Sequence, residues 1–234
     1  MKFIYSYNLS ALDNMVVDSY LAQNFKEEFI RIYRWKRATV SLGVTNRVSD
    51  LNREFITRNN IDIVRRETGG GIVYHDGDLS FCMVLNRSKG PKENYNTVRK
   101  IFENILKEIN FNVTLSKEIN NKRSKICFDG ISKHEISVDN KKVIGIAQKI
   151  FKDRYLIQGT IQLKNLFLDN IVVSKDSIVQ YGLKGITFDM LKSYIYNYIN
   201  KLFFIEELSI DRFILDKNYQ KFKTIYKEKF WIEQ

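Results

Sequence analysis

The sequence predicts a mixed α/β chain of the α+β type, a sheet with helices packed on it, and three stretches carry that prediction. Residues 79–86 alternate Leu79, Phe81, Met83 and Leu85 with Ser80, Cys82 and Val84, the period of a strand. Residues 94–109 place Val98, Ile101, Phe102, Ile105 and Ile109 at helical spacing. Asp139-Asn140 joins two β-rich runs and suits a hairpin turn.

The remaining elements follow in chain order. Ser10 caps a helix marked by Leu12, Met15, Val16 and Tyr20. Residues 28–35 and 38–43 are strand-like, rich in Phe, Ile, Tyr, Val and Trp. A short helix spans 50–59, with Leu51 and Phe55 on one face, and a strand spans 61–67. After Gly69-Gly70-Gly71 come strands 71–75 and 79–86, then the helix 94–109. Residues 118–134 are polar and aperiodic, so a loop is expected there. Strands 135–138, 141–149 and 155–163 follow; the last buries Tyr155, Ile157, Ile161 and Leu163 on one face. A helix runs from Thr187 to about 203, and the last thirty residues form one or two more. With no internal repeat and no linker, residues 1–234 are expected to be one domain with a helical tail.

Composition narrows the function. Apolar residues are 44% and aromatics 13%, enough for a sizeable core. Lys and Arg number 38 against 27 Asp and Glu, and the net charge of +11 favours acidic partners. There is no zinc-finger spacing, no aromatic-basic strand and no tight basic block, so nucleic acid is not the expected partner. Two cysteines, Cys82 and Cys127, make no disulfide framework, and His75 and His134 are too few for a metal cluster. The first residues lack the apolar region of a secretory signal, and no run approaches the ~20 apolar residues of a membrane span, so no membrane is expected and a cytoplasmic location is.

Three segments can carry chemistry. The densest is Arg65-Arg66-Glu67-Thr68-Gly69-Gly70-Gly71-Ile72-Val73-Tyr74-His75-Asp76. Three glycines between two strands let the backbone approach a ligand and turn N–H groups toward oxygens, with two arginines beside them; a tight structural turn satisfies the same pattern. No Gly-Lys-Ser/Thr follows, and Tyr74 stands where a dinucleotide fingerprint needs its third glycine. The second is Lys141-Lys142-Val143-Ile144-Gly145-Ile146-Ala147-Gln148, in which a strand lysine is followed by Gly and Ala on the same sheet, leaving room beside the ammonium. Most strand lysines are merely solvated. The third is Cys127, among Lys122, Arg123 and Lys125, whose positive field raises the thiolate fraction; an ordinary buried thiol is the alternative, and it fits Cys82.

In this order the three segments resemble the biotin/lipoate-protein ligase and lipoyl/octanoyl transferase superfamily, over roughly residues 3–200. Trp35 through Leu42-Gly43 resembles that family's opening strand pair, Arg65 to Asp76 its R-R-x-T-G-G-G-x-V-x-H-D signature, and Lys142 with Gly145 and Ala147 its K-x-x-G-x-A motif. Gln158-Gly159-Thr160 stands where the family often has His-Gly-Ser/Thr, and Phe230-Trp231 resembles a recurrent ending. The resemblance implies mixed, largely antiparallel sheets flanked by helices and a buried acyl tunnel. It implies substrate contacts at Arg65, Arg66, Thr68, Gly69, Gly70, Gly71, His75, Gly145, Ala147, Gly159 and Thr160, and no metal ligands.

Ligases of the family continue their signature H-D-x-G-N and activate lipoate with ATP and Mg. His75-Asp76-Gly77-Asp78-Leu79-Ser80-Phe81 is instead similar to the H-D-x-E-L-T-Y form of Firmicute-type octanoyltransferases, which use no cofactor. Those enzymes also carry a Cys-Phe-Asp ahead of the lysine, as Cys127-Phe128-Asp129 does here. Gly71 is the ligase-like feature. The resemblance therefore implies transfer of an octanoyl group from acyl carrier protein, through a thioester on Cys127 assisted by Lys142, to the lysine of a lipoyl domain of H-protein or an E2 subunit. Two alternatives stay open: an ATP-dependent lipoate-protein ligase, and an amidotransferase between H-protein and E2 lipoyl domains.

Overall fold

The computed structural model describes residues 1–115, 135–173, 177–230 and 232. The expected loop at 118–134, and Cys127 and Trp231 with it, lies outside the described residues. The chain opens with a strand that the sequence pattern does not announce, β1 (Lys2–Leu9). Phe3 and Ile4 are adjacent and both buried, so the alternation that marks a half-buried strand is absent. Helix α1 (Ala11–Asn24) starts where expected: the Ser10 hydroxyl oxygen accepts from the Asp13 amide at 3.0 Å.

Then come β2 (Phe29–Trp35), β3 (Thr39–Leu42), α2 (Arg53–Arg58), β4 (Asp62–Arg65), β5 (Val73–His75) and β6 (Leu79–Asn86). Leu51 falls outside α2 and bridges to Val172 instead. Helix α3 (Pro91–Glu108) begins three residues earlier than the expected start at 94, because Pro91 is pre-set for a first helical turn. Strands β7 (Val113–Leu115), β8 (Ile136–Val138) and β9 (Lys141–Lys142) precede β10 (Ile144–Ile150) and β11 (Arg154–Ile161). The short pair β12 (Leu166–Phe167) and β13 (Val179–Gln180) leads to α4 (Phe188–Leu202), capped by Thr187. The tail holds β14 (Glu206–Leu208), α5 (Asp211–Ile214) and α6 (Lys217–Phe230).

The strands form a six-stranded sheet in the order β10-β11-β6-β2-β1-β14, two three-stranded sheets, β4-β3-β5 and β7-β8-β9, and the β12-β13 pair. In the large sheet β10, β11, β6 and β2 are antiparallel, while β2, β1 and β14 are parallel. One face buries Phe81, Met83, Tyr155 and Ile157 against Phe102 of α3 and Leu191 and Ile195 of α4. The other buries Cys82, Val84 and Leu156 with Met15 and Val16 of α1 and Tyr219 and Tyr226 of α6. Both faces are therefore covered, and polar residues on either face are interior.

One expectation about the lysine strand is corrected. Residues 141–149 do not form one strand: pairing breaks at Val143, so Lys142 belongs to the β7-β8-β9 sheet and Gly145 and Ala147 to the large sheet. The turn before it forms as expected, with Asp139 and Asn140 both at positive φ.

Candidate active site

A pocket opens between the large sheet, the β4-β3-β5 sheet and α1. The large sheet contributes Tyr33, Trp35, Ser80, Gln158, Gly159 and Thr160 with Gly145, Ile146 and Ala147 of its edge strand. The small sheet and its glycine loop contribute Ser41, Arg66, Val73 and His75, and α1 contributes Met15. The cavity volume is ≈ 40 Å³. That is about three times the ~10–15 Å³ a single water needs.

Six residues expected at a substrate site line this pocket: Arg66, His75, Gly145, Ala147, Gly159 and Thr160. Thr68 stands behind the wall, its hydroxyl donating to Gln158 Oε1 at 2.8 Å. The glycine loop is tied to Arg66, whose Nη2 donates to the carbonyls of Gly69 at 3.0 Å and Gly71 at 2.6 Å. Gly70 has φ +86°, and a Cβ there would sit 3.7 Å from Ala147 Cβ, so the loop lies over the edge strand. The two arginines have different jobs. Arg65 turns to the bend after β3, donating from Nη1 to the carbonyls of Gly43 at 3.0 Å and Asn46 at 2.7 Å. Gly159 has a packing reason to be glycine: a Cβ would fall 2.2 Å from Phe81 Cζ and 2.9 Å from the Gly145 carbonyl. Lys142 is not among the described lining residues; its side chain is buried and its ammonium pairs with Glu135 at 2.7 Å.

Polar residues that the motifs do not mark complete the wall. His75 Nδ1 is 2.9 Å from Asp78 Oδ2, and its Nε2 is 2.8 Å from Ser41 Oγ. Its ring lies on Trp35, centroids 4.3 Å apart. Asp78 Oδ2 also accepts from Ser80 Oγ at 2.8 Å and from the Thr160 hydroxyl. Burial alone would raise the Asp78 carboxyl, but His75 beside it and the hydrogen bonds from His75, Thr160 and Ser80 together hold it below its ordinary value. The signature's own aspartate, Asp76, faces outward and pairs with Lys164 at 2.7 Å.

Deeper, Arg31 and Asp18 form an ion pair at 2.6 Å with neither side chain exposed. Asn14 and Ser6 take more of the guanidinium's hydrogen bonds, and Asp18 Oδ2 accepts from Gln158 Nε2 at 2.8 Å. Gln158 thus bridges this pair to Thr68. Cys82 lies in the same layer; burial, with Asp18 nearby, pushes its thiol well above the ordinary range, which disfavours the thiolate. Among the described residues no group of His, Cys, Asp and Glu could hold a metal ion, and no helix is long and apolar enough to cross a membrane. The sequence signal for the missed residues was weak. Ser41, Ser80 and Gln158 alternate with apolar neighbours as solvent-facing residues do, and only the cover of both sheet faces makes them interior.

Comparisons with known proteins agree with this architecture. The lipoyl protein ligase A/B catalytic domain matches residues 10–189. An octanoyltransferase LipM of Exiguobacterium sp. (strain ATCC BAA-1283 / AT1b) is 31% identical over 172 residues, 66% of this chain and 62% of the relative. That of Bacillus subtilis (strain 168) is 32% identical over 180 residues, 69% of this chain and 65% of the relative. The matched stretch thus spans just under two thirds of these relatives. Among solved structures, the bipartite lipoate protein ligase of Thermoplasma acidophilum, described with its E2 lipoyl domain, superposes with a TM-score of 0.76. It is 16% identical and covers 97% of this chain and 92% of its own, a likeness of fold.

Proposed function

The chain belongs to the lipoyl protein ligase A/B catalytic-domain family, and from that premise we propose that it is an octanoyltransferase of protein lipoylation, using no ATP. The observation that carries this reading is the residue three after His75. The ligase signature has no acid there; this chain has Asp78, buried against the imidazole at 2.9 Å. The two curated relatives named octanoyltransferase, at 31% and 32% identity, support the same branch.

In this proposal an octanoyl thioester on acyl carrier protein places its chain in the narrow pocket. The Cys127 thiolate attacks the carbonyl, the carrier thiol leaves, and the acyl group becomes an enzyme thioester. Lys142, paired with Glu135 on β9, is the cation for the developing oxyanion. The lysine amine of a lipoyl domain, of H-protein or an E2 subunit, then takes the acyl group as an amide. The net charge of +11 complements acidic carrier domains and suits a cytoplasmic enzyme that meets both. Because a thioester is already activated, the chemistry requires neither ATP nor Mg.

The test is a comparison of donors with apo lipoyl domain: octanoyl-carrier protein, octanoyl-H-protein, and lipoate with ATP and Mg. Octanoyl-carrier protein is expected to give product, and, without acceptor, to add one octanoyl group to Cys127 that hydroxylamine removes. Product only from free acid with ATP, together with full activity of Cys127→Ala, overturns the reading in favour of a ligase.

A further inference from the structure

We propose that His75 is the base that accepts the proton released when the acceptor amine attacks the acyl group, with Ser41 as the relay and Asp78 as the orienting anion. This inference rests on the transferase reading above.

The hydrogen bonds at both ends accommodate one direction of proton flow along the chain. Arg66 Nη1 lies 3.1 Å from Ser41 Oγ, and a guanidinium can only donate. Ser41 Oγ therefore accepts there, which leaves its own hydrogen available to His75 Nε2, 2.8 Å away. At the other end an ionised Asp78 can only accept, so the Nδ1 hydrogen goes to Oδ2 at 2.9 Å. Both ends accommodate the same neutral imidazole: Nδ1 protonated, Nε2 a bare acceptor. This is the order hydroxyl, imidazole, carboxylate, which sets up a general base. Ser41 and His75 both line the pocket, so the hydroxyl is the point at which a proton from a bound nucleophile enters.

A space-filling histidine does not require this arrangement. Trp35 already covers the ring, and a neutral Asn at 78 could accept the same hydrogens from His75, Ser80 and Thr160 without the cost of burying a charge. A carboxylate stabilises the imidazolium that forms on proton uptake; an amide does so far less. Ser41 acts as relay and not as nucleophile because the Arg66 guanidinium already holds a lone pair of its oxygen.

The step balances. The amine nitrogen forms a bond to the thioester carbonyl carbon, and the C–S bond breaks with its electron pair on sulfur. The amine proton passes to Ser41 Oγ while the Ser41 hydrogen passes to His75 Nε2. The imidazolium then returns a proton to the thiolate. The charged groups facing His75 are Asp78 from its own turn and Arg66, through Ser41, from the end of β4; Asp76 points away to Lys164.

Single-turnover kinetics test this. Enzyme pre-acylated with octanoyl-carrier protein and freed of donor is mixed with apo lipoyl domain, and amide formation is followed from pH 5.5 to 8.5. In the wild-type enzyme aminolysis is expected to slow as the pH falls. His75→Gln is expected to form the acyl-enzyme but to transfer roughly 10²–10⁴-fold more slowly across that range. Ser41→Ala is expected to fall in the same half-reaction and Ser41→Thr, which keeps the hydroxyl, to recover most of it. Acylation serves as the internal control for folding. The proposal is overturned if His75→Gln transfers within about threefold of wild type, if both half-reactions fall by the same factor, or if the acyl group is recovered on Ser41. Absence of any acyl-enzyme in the wild type removes the transferase reading and this inference together. A normal acyl-enzyme that His75→Gln discharges at the wild-type rate removes this inference alone.

Discussion

Two buried polar clusters share one face of the large sheet, and they are built on opposite principles. Around Arg31 and Asp18 the ion pair itself has no exposure at all and is surrounded by Ser6, Asn14, Tyr33 and Gln158, of which Tyr33 and Gln158 reach the pocket wall. Around His75 and Asp78 the chain of hydrogen bonds ends on a hydroxyl in the pocket wall, and Asp78 Oδ1 has no partner among the described residues. Burial of charge therefore does not by itself mark a site. What marks it is a titratable side chain that itself lines the cavity, as His75 does and Arg31 and Asp18 do not.

The contrast breaks most visibly at the closed cluster. Removing one member of a fully buried ion pair leaves the other uncompensated. Asp18→Ala and Arg31→Leu are each expected to cost about 3–5 kcal/mol in urea unfolding. The double replacement Asp18→Leu with Arg31→Met removes both charges and is expected to be more stable than either single variant. Single variants within about 0.5 kcal/mol of wild type would show that the pair is not a scaffold element.

Gln158 is the point at which the closed cluster touches the pocket. Its amide donates to Asp18 and accepts from Thr68 at once. Gln158→Ala strands both partners and is expected to cost about 1–3 kcal/mol. It also frees Thr68 and with it the glycine loop, so activity is expected to fall at temperatures where the fold is intact. A variant that is less stable but equally active at such temperatures would assign Gln158 to the scaffold alone.

The open cluster has a signature in acid. The folded Asp78 carboxyl lies below its ordinary value of 3.8, so it contributes stability that is fully present above that value. The contribution is lost as the pH falls through the folded value, in the region below about pH 4. Melting temperatures of wild type and Asp78→Asn are therefore expected to converge between pH 6 and pH 3. Parallel curves would mean that the His75, Ser80 and Thr160 bonds do not favour the charged form.

How much of this was legible depended on whether one face of an element met water. The capped helix α1, the stripe of α3 and the alternation of β6 were plain in the sequence. β1 was not, because covering both faces removes the alternation, and β14 was hidden by its three-residue length. The glycine loop and His75 were legible only as part of the family signature from Arg65 to Asp76, since a tight structural turn satisfies the glycines alone. Ser41 and Arg31 were not, because a polar residue in a strand reads as solvated, and Asp78 in a turn and Asp18 on α1 read as solvated in the same way until their cover is known. The placement of Lys142 on the strand of Gly145 failed for a local reason: the backbone leaves one sheet at Val143 to join another, and nothing in Lys-Val-Ile-Gly announces that break.

The finest test of site against scaffold lies in two adjacent glycines. Gly70 has φ +86°, which an L side chain rarely adopts, so any replacement strains the loop whether or not a ligand is near. Gly70→Ala is expected to lose stability and activity together and separates nothing. Gly69 has no such constraint, and a Cβ built there meets no atom within 4 Å. Gly69→Ala is therefore expected to leave the melting temperature unchanged or slightly raised, because it only restricts the unfolded chain. If the loop backbone at Gly69 approaches the acyl donor, that methyl occupies the donor's space, and KM for octanoyl-carrier protein is expected to rise several-fold with the fold intact. Wild-type kinetics for Gly69→Ala would place the donor elsewhere along the pocket and leave the first glycine as part of a structural turn.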